Sequence, residues 1–244
     1  MTITPPPGPR VDLRFDGPVA VITLDHPPLN IYDLAMRDEL IEALAAVGDM
    51  AALGDLGAVV LRAAGRHFCA GADLSEFGSA SSIVEARRIR WDRDPWGPLV
   101  DCPVPTVVAL HGTALGSGLE MSLLCDIRVA GPDVSLGLPE TKLGMLPAAG
   151  GTQSATAVLG PAAALPLVAL ATPVDADGAL ALGLVHLVVD DPDTAALAVA
   201  HQLAGLDRAA VAAARRALRA AVDLPLADGL HLERRLARRL SGYS

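Results

Sequence analysis

The chain is 244 residues long, with 52% hydrophobic and only 3% aromatic residues, so one large domain with a core of small aliphatic side chains is expected. Its formal net charge of −9 disfavours nucleic acid as a main partner, because phosphate backbones bind basic surfaces.

The first predicted elements follow a proline-rich start, which lacks the apolar segment of a secretory signal and is expected to be disordered. Val11–Phe15 and Val19–Leu24 alternate as strands do, and Asp16-Gly17 between them is a strong hairpin signal. Asp33 is then placed to cap a helix running to about residue 46. The chain therefore opens with a hairpin followed by a helix.

A buried strand, Ala58–Ala63, leads into the glycine-bearing turn Gly65–Leu74. Asp73 fits the cap of the next helix, and a role as a catalytic acid is the alternative. His67 in the same turn is expected to be exposed. The turn brings flexible backbone to the end of a buried strand.

The region Gly78–Trp96 combines small residues with dense charge. A mobile lid over a site and a solvated surface helix are equally good interpretations. In the first, Arg87, Arg88 or Arg90 would be candidates for contact with phosphate groups.

The next strand, Thr106–Leu110, leads into the turn Gly112–Gly118 and a helix from about Ser117 to Cys125. Glu120 falls in the first turn of this helix. The open N–H groups of a helix start suit a developing oxyanion. This segment therefore predicts an acid beside anion-stabilising backbone groups.

A second acid, Glu140, follows the short predicted strands Ile127–Ala130 and Ser135–Leu138. Acids in apolar surroundings have raised pKa values, as proton transfer near neutral pH requires. The spacing alone leaves a second interpretation open, in which Glu120 caps its helix and Glu140 forms a salt bridge.

Other polar residues in this region have structural interpretations. Asp126 and Arg128 are predicted to form a charge pair at a helix-to-strand corner, and His111 to bond at a strand end. Lys142 is predicted to point to solvent. Ser117 is not a hydrolase nucleophile, because its flanking residues do not give the spacing G-x-S-x-G. No zinc or phosphate-loop motif is present, and neither a metal nor nicotinamide is indicated.

The three cysteines, Cys69, Cys102 and Cys125, are odd in number and lie in apolar or turn sequence, which predicts reduced thiols in a cytoplasmic protein. The uncharged stretch Leu143–Val174 contains too many Pro and Gly residues for a membrane helix, and is interpreted as core and subunit interface.

The C-terminal part is predicted to be mostly helical. The predicted elements are helices Thr152–Leu159 (stopped by Gly160-Pro161), Ala176–Leu182, Thr194–Leu206, Arg208–Val222 and Leu226–Leu240, with a last strand Leu184–Val189. Residues 1–190 are therefore assigned to an α/β core and 191–244 to a helical oligomerisation segment. Arginines recur in the last two helices at helical spacing, as on a solvated face, with contact to a neighbouring subunit as the alternative.

Four blocks closely resemble the crotonase family, the enoyl-CoA hydratase/isomerase superfamily, in family order. They are Phe68–Leu74, Ala114–Ala130, Leu136–Gln153 and Ala179–Val189. The resemblance implies a crotonase-like spiral of ββα units with a C-terminal helical segment, assembled as a homotrimer or a dimer of trimers. It also implies an acyl-CoA substrate, with no cofactor beyond the CoA that the substrate carries.

The resemblance further implies hydration of a trans-2-enoyl-CoA to a 3-hydroxyacyl-CoA. The N–H groups of Ala72 and Ser117 would hold the thioester oxygen, while Glu120 and Glu140 would hold and activate one water molecule. Residues implied to contact the acyl-CoA are Pro28, Ala70, Ala72, Asp73, Leu74, Gly116, Ser117, Pro139 and Leu143.

Three departures from the family pattern bear on this expectation. Ser117 and Ala148 stand where family members frequently have glycine, and the sequence ends before the family's usual last helical segment. Double-bond isomerisation of an enoyl-CoA, and acyl-CoA binding without useful turnover, therefore stay open as alternatives.

Overall fold

A computed structural model of the protein describes residues 8–87 and 93–242. The strands are β1 (Val11–Asp16), β2 (Val19–Leu24), β3 (Ala58–Ala63), β4 (Thr106–Leu110), β5 (Thr113–Leu115), β6 (Ile127–Ala130), β7 (Ser135–Gly137) and β8 (Leu187–Val188). The main sheet has the order β1-β2-β3-β4-β6-β8, and β5 pairs with β7 in a small second sheet.

Helices separate most of the strands. They are α1 (Leu34–Ala52), α2 (Ile83–Arg87), α3 (Trp96–Val100), α4 (Ser117–Leu124), α5 (Gly151–Leu159), α6 (Pro161–Ala169), α7 (Ala176–Leu182), α8 (Pro192–Ala204), α9 (Arg208–Ala220) and α10 (Leu226–Leu240). Short 3₁₀ turns occupy Leu74–Glu76 and Pro139–Leu143. The predicted α/β class is confirmed.

The main sheet is parallel except for the β1–β2 hairpin, whose predicted turn at Asp16-Gly17 is confirmed. Parallel strands are covered on both faces, which explains why β3 and β4 read as continuous apolar runs. On one face Met36, Leu40 and Val47 of α1 join the larger core cluster. On the other, small side chains of α8 pack over Val60, Val107 and Val129.

Several element boundaries differ from the sequence prediction. Asp33 caps α1 as expected, but the helix continues to Ala52. The predicted stop at Gly160-Pro161 is confirmed, because α5 ends at Leu159. The prediction missed α6, which begins at Pro161, since proline fits the first turn of a helix, where its missing N–H has no partner. The last strand is shorter than predicted, because β8 is an edge strand that pairs only with β6.

The stretch 143–174 is only partly core. Ala155, Ala164 and Leu167 are buried, whereas Leu146 and Leu165 are exposed. The part of the prediction that assigns this stretch to the core is therefore confirmed for these buried residues. Its expected contact with a neighbouring subunit stays a prediction.

The helices after residue 190 behave differently from one another. α8 packs on one face of the sheet and so belongs to the core, whereas α9 and α10 pack mainly on each other and leave leucines exposed. Their role in oligomerisation stays a prediction.

Three further predictions concern the chain as a whole. The three cysteines are free and buried. No helix within the described ranges is both long and apolar enough to cross a membrane. The proline-rich start up to residue 7, Arg88 and Arg90 lie outside the described residues.

Candidate functional site

Three chain segments run side by side at the candidate site. β5 and β7 are parallel, with Leu115 opposite Gly137, so the residues that follow them emerge at the same edge. The first glycine turn joins them, since Cys69 exchanges hydrogen bonds of 3.0 Å with the backbone of Thr113 and Leu115. This arrangement brings the residues after Cys69, Leu115 and Gly137 together.

The two glycine turns meet at a carboxyl group. Gly71 and Gly116 both have positive φ, at 114° and 51°, which favours glycine over other residues. A Cβ built on Gly116 would lie 3.7 Å from the Cα of Gly71 and 2.8 Å from Oε1 of Glu140. A residue with a side chain at position 116 would therefore displace that carboxyl group, whereas glycine leaves room for it.

Ala72 and Ser117 directly follow these two glycines. The backbone of Tyr32 bonds the C=O of Gly71 and the N–H of Asp73, so the N–H of Ala72 points to the opposite side. Ser117 is the first residue of α4, where an N–H has no partner within the helix. Among the described residues, no hydrogen-bond acceptor engages either N–H group.

Glu120 is carried into the core by α4, whose residues from Ser117 to Leu123 are all buried. Its side chain is only 2% exposed. Its Oε1 accepts hydrogen bonds from the N–H of Ala149 at 3.0 Å and of Gly151 at 2.9 Å. Glu120 therefore binds the amino-terminal end of α5.

Glu140 lies in the 3₁₀ turn after β7 and is half-buried. Its Oε2 is buried, and no group among the described residues hydrogen-bonds to it. Burial raises the pKa of this carboxyl group above its ordinary value. The alternative interpretation of Glu140 as a salt-bridge partner is wrong, since none of the ion pairs between described residues includes it.

The other residues expected to contact an acyl-CoA surround these turns. Ala70 donates its N–H to the C=O of Leu29, which ties the turn to the loop of Pro28. Pro28, Leu74 and Leu143 are exposed, and Pro139 is half-buried beside Glu140. Contact of these residues with a ligand stays a prediction.

Asp73 caps the 3₁₀ turn that follows Ala72. Its Oδ1 accepts hydrogen bonds from the hydroxyl and N–H groups of Ser75, and these bonds lower its pKa. The predicted capping role is confirmed for this turn.

Asn30 is a residue whose role the sequence prediction missed. It is buried, and its amide donates to the carbonyl groups of Ala64 at 2.8 Å and His67 at 2.7 Å. Asn30 therefore fixes the first turn to the loop before α1. The available signal was an asparagine directly after a proline turn, a residue type that tolerates the observed φ of 50°.

The expectation that Asp126 and Arg128 form a charge pair is wrong. Asp126 does not pair with Arg128; it binds Arg215 and Arg219, while Arg128 donates to the carbonyl groups of Cys125 and Leu184. These partners are distant in sequence, so local spacing did not reveal them.

The surroundings of two histidines and one lysine were also predicted. His67 is half-buried, and its Nδ1 accepts from the N–H of Thr113, so its predicted exposure is wrong. His111 bonds the C=O of Gly65 through Nε2, and Lys142 is exposed, as predicted.

A surface cleft of about 400 Å³ lies away from the glutamates. It contains none of the predicted site residues and is lined by Arg62, Gly65, His111 and Asp193 among others. The described ranges contain no cluster of three or more His, Cys, Asp or Glu side chains placed to hold a metal ion.

Comparison with known proteins matches residues 14–241 to a family described as enoyl-CoA hydratase/isomerase. A relative from Mycobacterium tuberculosis, named probable enoyl-CoA hydratase echA8, is 34% identical over 224 residues, which are 91% of this chain and 85% of that protein. A probable enoyl-CoA hydratase from Bacillus subtilis is 36% identical over 189 residues, covering 74% and 69%.

Comparison with solved structures agrees with the family match. The chain superposes on enoyl-CoA hydratase subunit I of Geobacillus kaustophilus with a TM-score of 0.86 and 32% identity, covering 96% of this chain and 90% of that one. Pseudomonas aeruginosa DspI matches with a TM-score of 0.89 and 29% identity over the full length of both chains.

Proposed function

The chain belongs to the enoyl-CoA hydratase/isomerase family, and on this premise we propose that it adds water to a trans-2-enoyl-CoA to give a 3-hydroxyacyl-CoA. The observation that carries the proposal is the position of the Glu140 carboxyl group against Gly116. That glycine directly precedes the helix that carries Glu120, so both acids adjoin the same turn.

In the proposed reaction the thioester oxygen binds the N–H groups of Ala72 and Ser117. Negative charge develops on this oxygen when water attacks Cβ, because the electrons of the double bond move toward the carbonyl group. Fixed backbone donors stabilise such a charge, and removal of one donor typically raises a barrier by about 2.7–4 kcal/mol. The unengaged N–H groups of the two turns support this role.

The surroundings of the two glutamates support different roles. N–H groups bind the lone pairs of a carboxylate, so the bonds from Ala149 and Gly151 fit an ionised Glu120, which takes a proton from water as the C–O bond forms. Burial favours the neutral form of Glu140, which then donates its proton to Cα of the enolate. The product has gained one water, and proton exchange with solvent restores both acids.

Assembly, location and cofactor use are further parts of the proposal. A homotrimer or a pair of trimers in the cytoplasm is supported by the exposed leucines of α9 and α10 and by the three free thiols. The proposed hydration requires water and the CoA thioester, with no separate cofactor.

A panel of trans-2-enoyl-CoAs of increasing chain length tests the proposed reaction. We expect loss of the conjugated thioester absorbance and formation of 3-hydroxyacyl-CoA. A parallel incubation with a 3-enoyl-CoA tests isomerisation, because this substrate lacks the conjugated double bond that water attacks. Formation of the 2-enoyl product without hydration of any panel member would contradict the proposal, as would binding of every ester without turnover.

A further inference from the structure

A half-buried ion-pair cluster lies at the end of α4 opposite the candidate site. Asp126, two residues after the helix ends, accepts at Oδ2 from the N–H of Thr106 at 2.9 Å and from Nε of Arg215 at 2.7 Å. Its Oδ1 accepts from Nη2 of Arg219 at 2.9 Å. Both arginines come from α9, so the C-terminal hairpin reaches the helix that carries Glu120.

The same two arginines bind a third segment of the chain. Arg215 also donates to the C=O of Cys102, and Arg219 to the C=O of Val100 at the end of α3. The backbone of Asp126 is fixed as well, since its N–H bonds to the C=O of Thr106 at 3.0 Å. The cluster therefore joins α9 to the end of α3, the start of β4 and the end of α4.

The two ends of α4 are held in different ways. At its beginning, Gly116 has no side chain that could cap the helix, so the N–H of Ser117 remains available to bind a ligand. At its end, Arg128 donates to the C=O of Cys125 at 2.7 Å, and Asp126 joins the cluster. Side-chain bonds therefore anchor the helix at the end opposite the reacting groups.

A short buried helix transmits a displacement along its length. The eight residues of α4 span roughly 12 Å, and their close packing leaves little freedom to bend. A shift at Asp126 therefore moves the N–H of Ser117 and the side chain of Glu120. Misplacement of reacting groups by 1 Å can cost about 10²-fold in rate.

We propose that Asp126, Arg215 and Arg219 are positioning residues for the reaction, and that docking of α9 on Asp126 sets the place of Ser117 and Glu120. This inference rests on the proposed hydration. It assigns the C-terminal hairpin a part in catalysis within its own subunit, separate from its proposed contact with neighbouring subunits.

The variant that tests this inference is Arg219→Gln, because Arg219 is the more exposed of the two arginines. Asp126→Asn is a second, stronger change, since it leaves Arg215 buried without its carboxylate. Arg216→Gln is the matched control: Arg216 is exposed on the same helix and forms no ion pair with the described residues.

Three readouts separate positioning from general stability. They are kcat and KM for a 2-enoyl-CoA, the melting temperature, and the absorbance of a bound aromatic 2-enoyl-CoA, which shifts to longer wavelength as the thioester oxygen is polarised. We expect Arg219→Gln to lower kcat about 10-fold and Asp126→Asn about 10²-fold, with KM within about 2-fold and a smaller absorbance shift. Arg216→Gln should match the unaltered enzyme.

Lower melting temperatures with unchanged kcat and unchanged absorbance shift would overturn the inference, because the cluster would then be purely structural. If Asp126→Asn does not fold, Arg219→Gln decides the question by the same readouts. Failure of the unaltered protein to hydrate or to polarise the bound ester would instead contradict the proposed function, which the assay detects independently of any variant.

Discussion

Two glutamates close to one glycine turn have different surroundings, and the difference matters for their chemistry. Glu120 binds the N–H groups of Ala149 and Gly151, which fix its carboxyl group at the start of α5. Glu140 has a buried oxygen to which no described group bonds, and burial raises its pKa. These different surroundings suit the proposed addition of water, in which one carboxyl group takes a proton and the other gives one.

Gly116→Ala should remove most activity. The new Cβ would lie 2.8 Å from Oε1 of Glu140, so the carboxyl group must move, and misplacement can cost about 10²-fold in kcat. Gly17→Ala is the matched control, since φ at Gly17 is 57° and a Cβ there meets open space. Urea unfolding should show that both variants are folded under the conditions of the assay. Equal kcat values in the two variants would contradict the role of Glu140.

Glu140 should also make stability depend on pH. Its pKa is raised in the folded protein, so its contribution is present below the ordinary carboxyl value of 4.5 and is lost as pH rises through the raised value. As pH rises above 4.5, the unaltered protein should therefore lose stability relative to Glu140→Gln. The difference between their unfolding free energies should change in that direction. Urea unfolding at several pH values measures this difference. Glu233→Gln, on the exposed surface of α10, is the matched control for the loss of one carboxyl group.

The elements that could be predicted from sequence are those with local signals. The Asp16-Gly17 hairpin, the Asp33 cap and the glycine turns around Glu120 follow from turn and capping chemistry that acts within a few residues. The partners of Asp126 could not be predicted in this way, because Arg215 lies on a helix whose docking depends on tertiary packing.

The same limit applies to the candidate site. The two glutamates were found because acids are unusual in apolar sequence and because the surrounding blocks resemble a family. The bonds of Glu120 to the start of α5, and of Asn30 to the first turn, join segments about thirty residues apart in sequence. Only the fold brings these groups together.

Asn30→Gly should loosen the first glycine turn. Glycine accepts the φ of 50° at this position, so the change mainly removes the amide that bonds the carbonyl groups of Ala64 and His67. Leaving buried acceptors without donors typically costs about 1–3 kcal/mol. Urea unfolding should show this loss, and KM for an enoyl-CoA should rise because Ala72 lies on the same turn. An unchanged unfolding free energy would contradict the proposed bracing by Asn30.

At the scale of the molecule, α9 and α10 pack mainly on each other and leave apolar side chains exposed. Leu218 is 72% and Leu226 79% exposed, although leucines usually lie in a core. Exposed apolar side chains of this kind are suited to burial against another subunit.

Replacing Leu218 and Leu226 together by Glu should therefore reduce assembly. Light scattering should report a mass closer to that of one chain than for the unaltered protein. Leu53→Glu is the control, because Leu53 is 73% exposed but lies outside the hairpin. Loss of assembly in the control, or its persistence in the double variant, would place the interface elsewhere.

The central claim, that two carboxyl groups act on one water beside a pair of backbone amides, is tested most directly by kcat. Hydration of a trans-2-enoyl-CoA should be measured for the unaltered protein, Glu120→Gln and Glu140→Gln, together with affinity for the CoA ester. We predict that each variant loses about 10²–10⁴-fold in kcat while affinity persists. Full activity in either variant would contradict the account.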